Sequence, residues 1–338
     1  MKPLFTLLLA TLPFIAFSQP CNGSKGENIF PAGDFGSGTA NIVQTDPGIA
    51  PGYTYTTNPP PLDGVYTLTN DMGAWGNRFT WLPLTDNSPD PNGYFMVVNA
   101  SVNPGLFYEE LVTGLCENTT YEFTADLVNL ITPGTNQIQP DVSFLLDNVV
   151  QFSTGNIPEN GLWTTYGFTF TTAPGQTSLT LSLRNNAPGG LGNDLGIDNI
   201  SFRACGPEAT ILPQQTQFVC VDALPITLDA LLNNSTYTTP LFQWQTSLDS
   251  GATWINIPNA TDTTLTPPIT GSGVYYIRYL VANSASQLSN SKCRVISEEK
   301  IITVVPKDYV VNDTICEGLS YPFGTRTLTA SGTYIDTF

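Results

Sequence analysis

The side chains able to do chemistry in this 338-residue chain are carboxylates, amides, tryptophans and cysteines, because histidine is absent. Without imidazole there is no Ser-His-Asp or Cys-His catalysis, no His-ligated zinc and no ordinary general base near neutral pH. Paired carboxylates are the remaining route to hydrolysis. Glu109 and Glu110 are adjacent in a strand pattern and so point to opposite faces, whereas a glycosidase needs two facing carboxyls roughly 5 to 9.5 Å apart. The chain therefore does not read as an enzyme. With 28 acids against 11 Lys and Arg, its net charge of −17 repels nucleic acid and anionic lipid. That excess acid serves solubility, or it supplies ligands for a cation.

Binding is the other chemistry on offer. A sugar is held by a flat aromatic face against its apolar side and by Asp, Asn or Gln around its hydroxyls. Trp75, between Gly73 and Gly76, and Trp81 fall in the long irregular stretch Pro47–Pro91, the best place for an exposed platform. In the same stretch Asp86-Asn-Ser-Pro-Asp90-Pro-Asn92-Gly93 alternates oxygen-bearing residues, so Asp86 and Asp90 are candidate contacts of a ligand loop. Its glycine is misplaced for an EF-hand and two prolines interrupt it, so a plain turn is the competing reading. Trp163 opens an alternating strand, and Trp244 and Trp254 read as packed residues. Gly189-Gly-Leu-Gly192-Asn-Asp-Leu-Gly196 is no dinucleotide loop, because its third glycine is displaced and a strand follows it.

Secondary structure must position these groups, and its period is two rather than 3.6. Tyr121, Phe123, Ala125 and Leu127 alternate with Glu122, Thr124 and Asp126, and Leu179, Leu181 and Leu183 alternate with Thr180 and Ser182. Tyr94-Met96-Val98, Val142-Phe144-Leu146 and Tyr166-Phe168-Phe170 repeat the pattern between clusters of Pro, Gly, Asn and Asp. The fold class is all-β: a jelly-roll β-sandwich over 19–206, an Ig-like β-sandwich over 207–305 with Trp244 at its core, and the start of a truncated third β module over 306–338. Between Leu195-Ile197 and Ile200-Phe202 the apolar parity shifts, which predicts a β-bulge near Asp198 and Asn199.

Met1–Ser18, with Lys2 and an apolar run from Leu4 to Phe17, has the layout of a secretory signal peptide. No later stretch is apolar enough to span a bilayer, so the expectation is a secreted or cell-surface protein without direct membrane insertion, in an oxidising space where cysteines pair. Of six cysteines, Cys220 and Cys293 fall in the Ig-like unit and would close a loop of about 74 residues, worth roughly 4 kcal/mol in the chain-entropy model. Cys316 has no local partner. For Cys205 two partners stay open: Cys21, which would pin the termini of the first unit together, and Cys116, which would staple a strand start to its exit.

Five motifs in order over residues 27–206 carry a family resemblance: Phe30-Pro-Ala-Gly-Asp-Phe, Pro91-Asn-Gly-Tyr-Phe-Met-Val-Val-Asn99, Gly114-Leu-Cys-Glu-Asn-Thr-Thr-Tyr-Glu-Phe123, Trp163-Thr-Thr-Tyr-Gly-Phe-Thr-Phe170 and Asn185–Asp194. They resemble the N-terminal carbohydrate-binding-like, galactose-binding-like jelly-roll module of gliding-motility-associated surface proteins of Bacteroidetes, whose Ig-like and short cysteine-containing repeats resemble the rest. The resemblance implies export, further C-terminal modules of the same protein, and a structural calcium where first and last strands meet. Asp34 and Asp198 match the family's two acids; Gly36 stands where a third is expected, and Glu27 is the candidate replacement. Two acids and freed carbonyls at the bulge could approach the six to eight oxygens calcium takes.

These features predict an adhesin fragment whose first module binds glycan or another surface polymer and whose Ig-like unit is a spacer. The alternatives are a purely structural stalk or cap without a ligand, and an accessory module of a polysaccharide-degrading system. Exposure of Trp75 or Trp81 favours the first, and burial of both favours the stalk.

Overall fold

The computed structural model describes residues 20–307, 313–324 and 326–335; the leader read at 1–18 lies outside them. Ten strands build the first sandwich. In chain order they are β1 (Thr54–Tyr55), β2 (Val65–Thr69), β3 (Phe95–Asn99), β4 (Gly105–Thr113), β5 (Thr120–Asn129), β6 (Asp141–Leu146), β7 (Val149–Asn156), β8 (Thr164–Thr171), β9 (Ser178–Asn185) and β10 (Leu195–Ala204). They pair into a six-stranded sheet, β1-β2-β3-β10-β5-β8, and a four-stranded sheet, β4-β9-β6-β7. The chain passes repeatedly between the two, so each alternating strand turns one face onto the other sheet.

An aromatic cluster fills the space between the sheets. Phe123 meets Phe144 of the opposite sheet edge-on at 5.2 Å, and Phe170 stacks on Phe202 at 5.9 Å. The bulge is where parity placed it: the β10–β5 register shifts between Asp198 and Ser201, and Asn199 takes φ 49°. A left-handed residue there turns Ile200 and Phe202 back into the core, where both are fully buried.

Both ends of this sandwich lie together. The segment from Cys21 to Phe35 runs beside β10, with Gly26 N donating to Ala204 O at 2.9 Å, Ile29 N to Phe202 O at 2.8 Å and Ile200 N to Gly33 O at 2.8 Å. Cys21 and Cys205 are disulfide-bonded, which resolves the first of the two open pairings.

A second sandwich follows. Its strands are β11 (Glu208–Leu212), β12 (Gln217–Cys220), β13 (Leu228–Asn233), β14 (Leu241–Ser247), β15 (Ile255–Asn256), β16 (Thr264–Leu265), β17 (Gly273–Ala282), β18 (Val295–Ile296) and β19 (Lys300–Val305), with one short helix, α1 (Ala285–Ser289). β11-β13-β16 form one sheet and β12-β19-β17-β14-β15 the other, with β18 on β17. Trp244 is its fully buried centre, edge-on to Tyr279 at 5.1 Å and donating from Nε1 to Asp262 O at 2.8 Å. Beyond it, β20 (Tyr321–Phe323) and β21 (Arg326–Leu328) make a two-stranded hairpin whose described residues are mostly exposed.

The expected Cys220–Cys293 bond is overturned. Cys220 lies exposed on β12 opposite Val305, whereas Cys293 is buried where the second sandwich meets the first and bonds to Cys116. Cys116–Cys205 is excluded by the same arrangement. Spacing groups cysteines by module, and this bond crosses modules, so spacing could not find it.

Candidate functional site

The two sheets of the first sandwich treat their outer faces differently. On the six-stranded sheet β3 is buried on both sides: Met96 and Val98 enter the inter-sheet core, while Phe95 and Val97 project outward with Val128 and Leu130. The stretch 70–91 covers them, setting Met72, Trp75, Trp81 and Leu84 over that face and forming a second apolar cluster. Trp75 and Trp81 keep only 5% and 4% exposure. Their indole N–H groups are spent inside, Trp75 Nε1 on Asn41 Oδ1 at 3.1 Å and Trp81 Nε1 on Asp194 Oδ2 at 3.0 Å. The exposed-platform expectation is therefore corrected: outward Phe95 and Val97 needed a cover, and the tryptophans supply it.

The Asp86–Gly93 loop latches this cover down. Asn87 N donates to Asp198 Oδ2 at 2.8 Å and Asn87 Nδ2 to Asp126 Oδ2 at 2.8 Å, while Asn199 Nδ2 reaches Asn87 O and Asp126 Oδ2. Asp198 is fully buried, and burial together with the neighbouring Asp86 carboxyl raises its pKa well above the carboxylate range. Asp194 is likewise pushed up to about 7 by burial. Asp86 accepts from Ser88 Oγ, and Asp90 Oδ1 accepts from Asn92 N at 2.9 Å, so both shape their own turn.

The residues matched to calcium do not come together. Glu27 pairs with Arg294 of the second sandwich at 2.9 Å, Asp34 is exposed and caps its own turn by accepting from Gly36 N at 3.1 Å, and Asp198 is held in the latch. Among the described residues no three acids or cysteines are grouped to hold a cation. This set does not fit the ion. Glu109 and Glu110 diverge as adjacent strand residues must: Glu109 accepts from Ser182 Oγ at 3.2 Å, while the charge of Glu110 helps raise the pKa of buried Tyr108, whose main perturbation is desolvation.

On the four-stranded sheet the outward positions are mostly polar and still largely buried: Ser143, Leu145 and Ser182 are all nearly inaccessible. Val142, Phe144, Leu181 and Leu183 turn into the core, leaving Ser143, Arg184 and Ser182 on the other face with Glu109. Where β6, β7 and β9 end, this face opens into a cavity of about 470 Å³ lined by Asn136, Gln137, Gln139, Asp141, Asn156 and Asn186, with Ile138 and Pro188. Its walls are fixed from beneath. Buried Asn185 accepts from Asp141 N at 3.3 Å and Ala187 N at 3.1 Å and donates to Asn193 O at 2.8 Å, and Asn193 N reaches Ile138 O at 2.6 Å.

Two lining side chains are already engaged: Asp141 Oδ1 accepts from Ser153 Oγ at 2.7 Å, and Asn186 bridges Arg184 and Ser143. Among the described residues the side-chain amides of Asn136, Gln137, Gln139 and Asn156 have no hydrogen-bond partner. Each carries a donor and an acceptor, as a sugar hydroxyl does. One engaged carboxylate among five amides makes the cavity polar and close to neutral, suited to uncharged hydroxyl-rich surfaces. The sequence signal for this cavity is Asn136-Gln-Ile-Gln139 and Asn185-Asn186, amide-rich runs without an aromatic.

Comparison with known proteins adds little beyond this geometry. A family model described as "Domain of unknown function (DUF8696)" matches residues 209–306, the second sandwich. No curated protein matches the chain. Among solved structures, "EclA C-terminal domain; sugar-binding protein" is 18% identical over 38% of this chain and 91% of its own, with a TM-score of 0.25. A structure titled "CBM4 structure and function" is 16% identical over 33% of this chain and 70% of its own, with a TM-score of 0.23. The M60 catalytic domain with CBM51-1 and CBM51-2 domains from Clostridium perfringens ZmpB is 11% identical over 69% of this chain and 22% of its own, with a TM-score of 0.22. Superpositions this loose carry no functional inference. Among the described residues no helix is long and apolar enough to cross a membrane.

Proposed function

We propose that this chain is part of a secreted, non-catalytic surface protein whose first sandwich binds a neutral glycan in the amide-lined groove at the strand ends of its four-stranded sheet. The observation that carries this is the convergence of four unspent amides on one cavity of about 470 Å³ whose walls are fixed by buried Asn185. Because Asn185 holds the backbone beneath them, the ordering cost of binding falls on the amide side chains alone. Two disulfides support an oxidising compartment and therefore export. Adhesion to a glycan-bearing surface is the role such a module would serve in a longer protein.

A glycan array probed with the mature chain tests this. Binding to uncharged glycans, lost on Asn156→Ala with Asn136→Ala at unchanged thermal stability, is the expected result. A blank array, or binding indifferent to those substitutions, overturns it. The second reading, a structural cap or stalk without a ligand, is favoured by the burial of Trp75 and Trp81, and it predicts the blank.

A further inference from the structure

We infer that the second sandwich is not an independent spacer but a clamp that folds together with the first, making residues 20–305 one cooperative unit. A two-residue link, Gly206-Pro207, separates β10 with Cys205 from β11, and it is itself engaged: Gly206 N donates to Ser24 O at 3.0 Å and Ser24 N to Pro207 O at 3.3 Å. Ser24 Oγ then accepts from Ala209 N at 2.9 Å, and Ile296 N donates to Lys25 O at 3.1 Å. The N-terminal segment thus lies between the two sandwiches and bonds to both.

The segment from Ser284 to Arg294, containing α1, closes over the first sandwich from the other side. Gln287 Nε2 reaches Thr119 Oγ1 at 3.0 Å, Asn290 Nδ2 reaches Gly114 O at 2.8 Å, Lys292 Nζ reaches Thr113 O at 2.6 Å and Arg294 Nη2 reaches Glu27 Oε1 at 2.9 Å. Cys293 bonds covalently to Cys116, and Tyr121 OH sits 3.5 Å from the Cys293 sulfur. One apolar core runs through the boundary, including Tyr121 and Ala204 on one side and Ala209 and Val295 on the other.

The backbones approach so closely that a Cβ on Gly26 would lie 2.4 Å from Arg294 O. Domains joined by small polar interfaces move relative to one another by default. Here a shared core, the eight hydrogen bonds or ion pairs named above and a covalent bond oppose that motion, so the first sandwich keeps a fixed orientation relative to the second.

The coupling is redox-sensitive in consequence. A water-soluble phosphine cleaves each S–S bond, takes one oxygen atom from water to become the phosphine oxide and leaves two thiols. Because it also opens Cys21–Cys205, substitution isolates the bond across the boundary. Calorimetry of the oxidised mature chain should show residues 20–305 melting in one transition, with the Gly206-Pro207 link resistant to protease. Cys116→Ser with Cys293→Ser should split the transition and raise the cleavage rate near residue 206 by roughly tenfold or more, since cleavage follows the open population. Asn290→Ala with Lys292→Ala, which leaves both disulfides intact, should raise it less. Two transitions in the wild-type oxidised chain, or an unchanged cleavage rate in both double variants, overturns the inference.

Discussion

The outer faces of the first sandwich's two sheets share one core and have opposite fates. The six-stranded face is apolar at Phe95, Val97, Val128 and Leu130 and is roofed by a loop that spends two tryptophans and an aspartate-anchored latch on the task. The four-stranded face carries Ser143, Ser182 and Arg184 beside buried Leu145, and at the ends of its strands lies a cavity lined by unspent amides. Aromatic residues in an irregular stretch therefore mark here the apolar face that had to be covered, and amides mark the cavity at the strand ends of the other sheet.

The sharpest way to break this contrast is to remove the roof. Trp81→Ala deletes a buried ring and leaves Asp194 without its indole donor, so it should destabilise the first sandwich by about 3–5 kcal/mol, measured by urea unfolding. A loss confined to binding, with stability intact, would mean that Trp81 presents itself to ligand after all.

Next in size is the pH dependence of the latch. Asp194 and Asp198 have folded pKa values raised above their ordinary 3.8, Asp194 to about 7, so the protonated forms are favoured on folding. Their contribution is fully present below about pH 4 and is lost as pH climbs through the folded values toward pH 8, above which the slope vanishes. Thermal midpoints across that range should fall. Asp86→Asn, which replaces the carboxyl facing Asp198 with an amide donor, should flatten the decline, and an equally steep decline in that variant would remove the pairing as its cause.

Smaller still is the effect of the cavity's exposed amides on stability. Asn136→Ala and Asn156→Ala delete exposed side chains with no hydrogen-bond partner among the described residues, so each should leave unfolding within ~0.5 kcal/mol of wild type. Calcium and a chelator should give the same melting temperature, because Glu27, Asp34 and Asp198 are committed to separate tasks. A rise with calcium would show that some other set of oxygens holds the ion.

Much of this architecture is legible in the sequence because it rests on local pattern. Alternation at Tyr121–Leu127 and Leu179–Leu183 fixed which sides face the core, and a parity shift located the bulge at Asp198 and Asn199. What was illegible depends on long-range placement. A Gly- and Pro-rich stretch holding Trp75 and Trp81 reads the same whether it presents or hides them. Glu122 and Asp126 look like solvent-facing strand residues, yet Glu122 accepts from Cys21 N at 2.8 Å and pairs with Lys25, and Asp126 lies under the latch. Cys116 and Cys293, 177 residues apart, belong to different modules, and only the docking of the second sandwich brings them together.

Hydrogen exchange of the chain from residue 20, with and without a glycan selected on the array, tests most directly that the amide-lined cavity is the binding site. Ligand should slow exchange at residues 134–141 and 186–193 and leave 70–91 unchanged. Protection over 70–91 with none at 134–141 would place recognition on the roofed face and contradict the assignment.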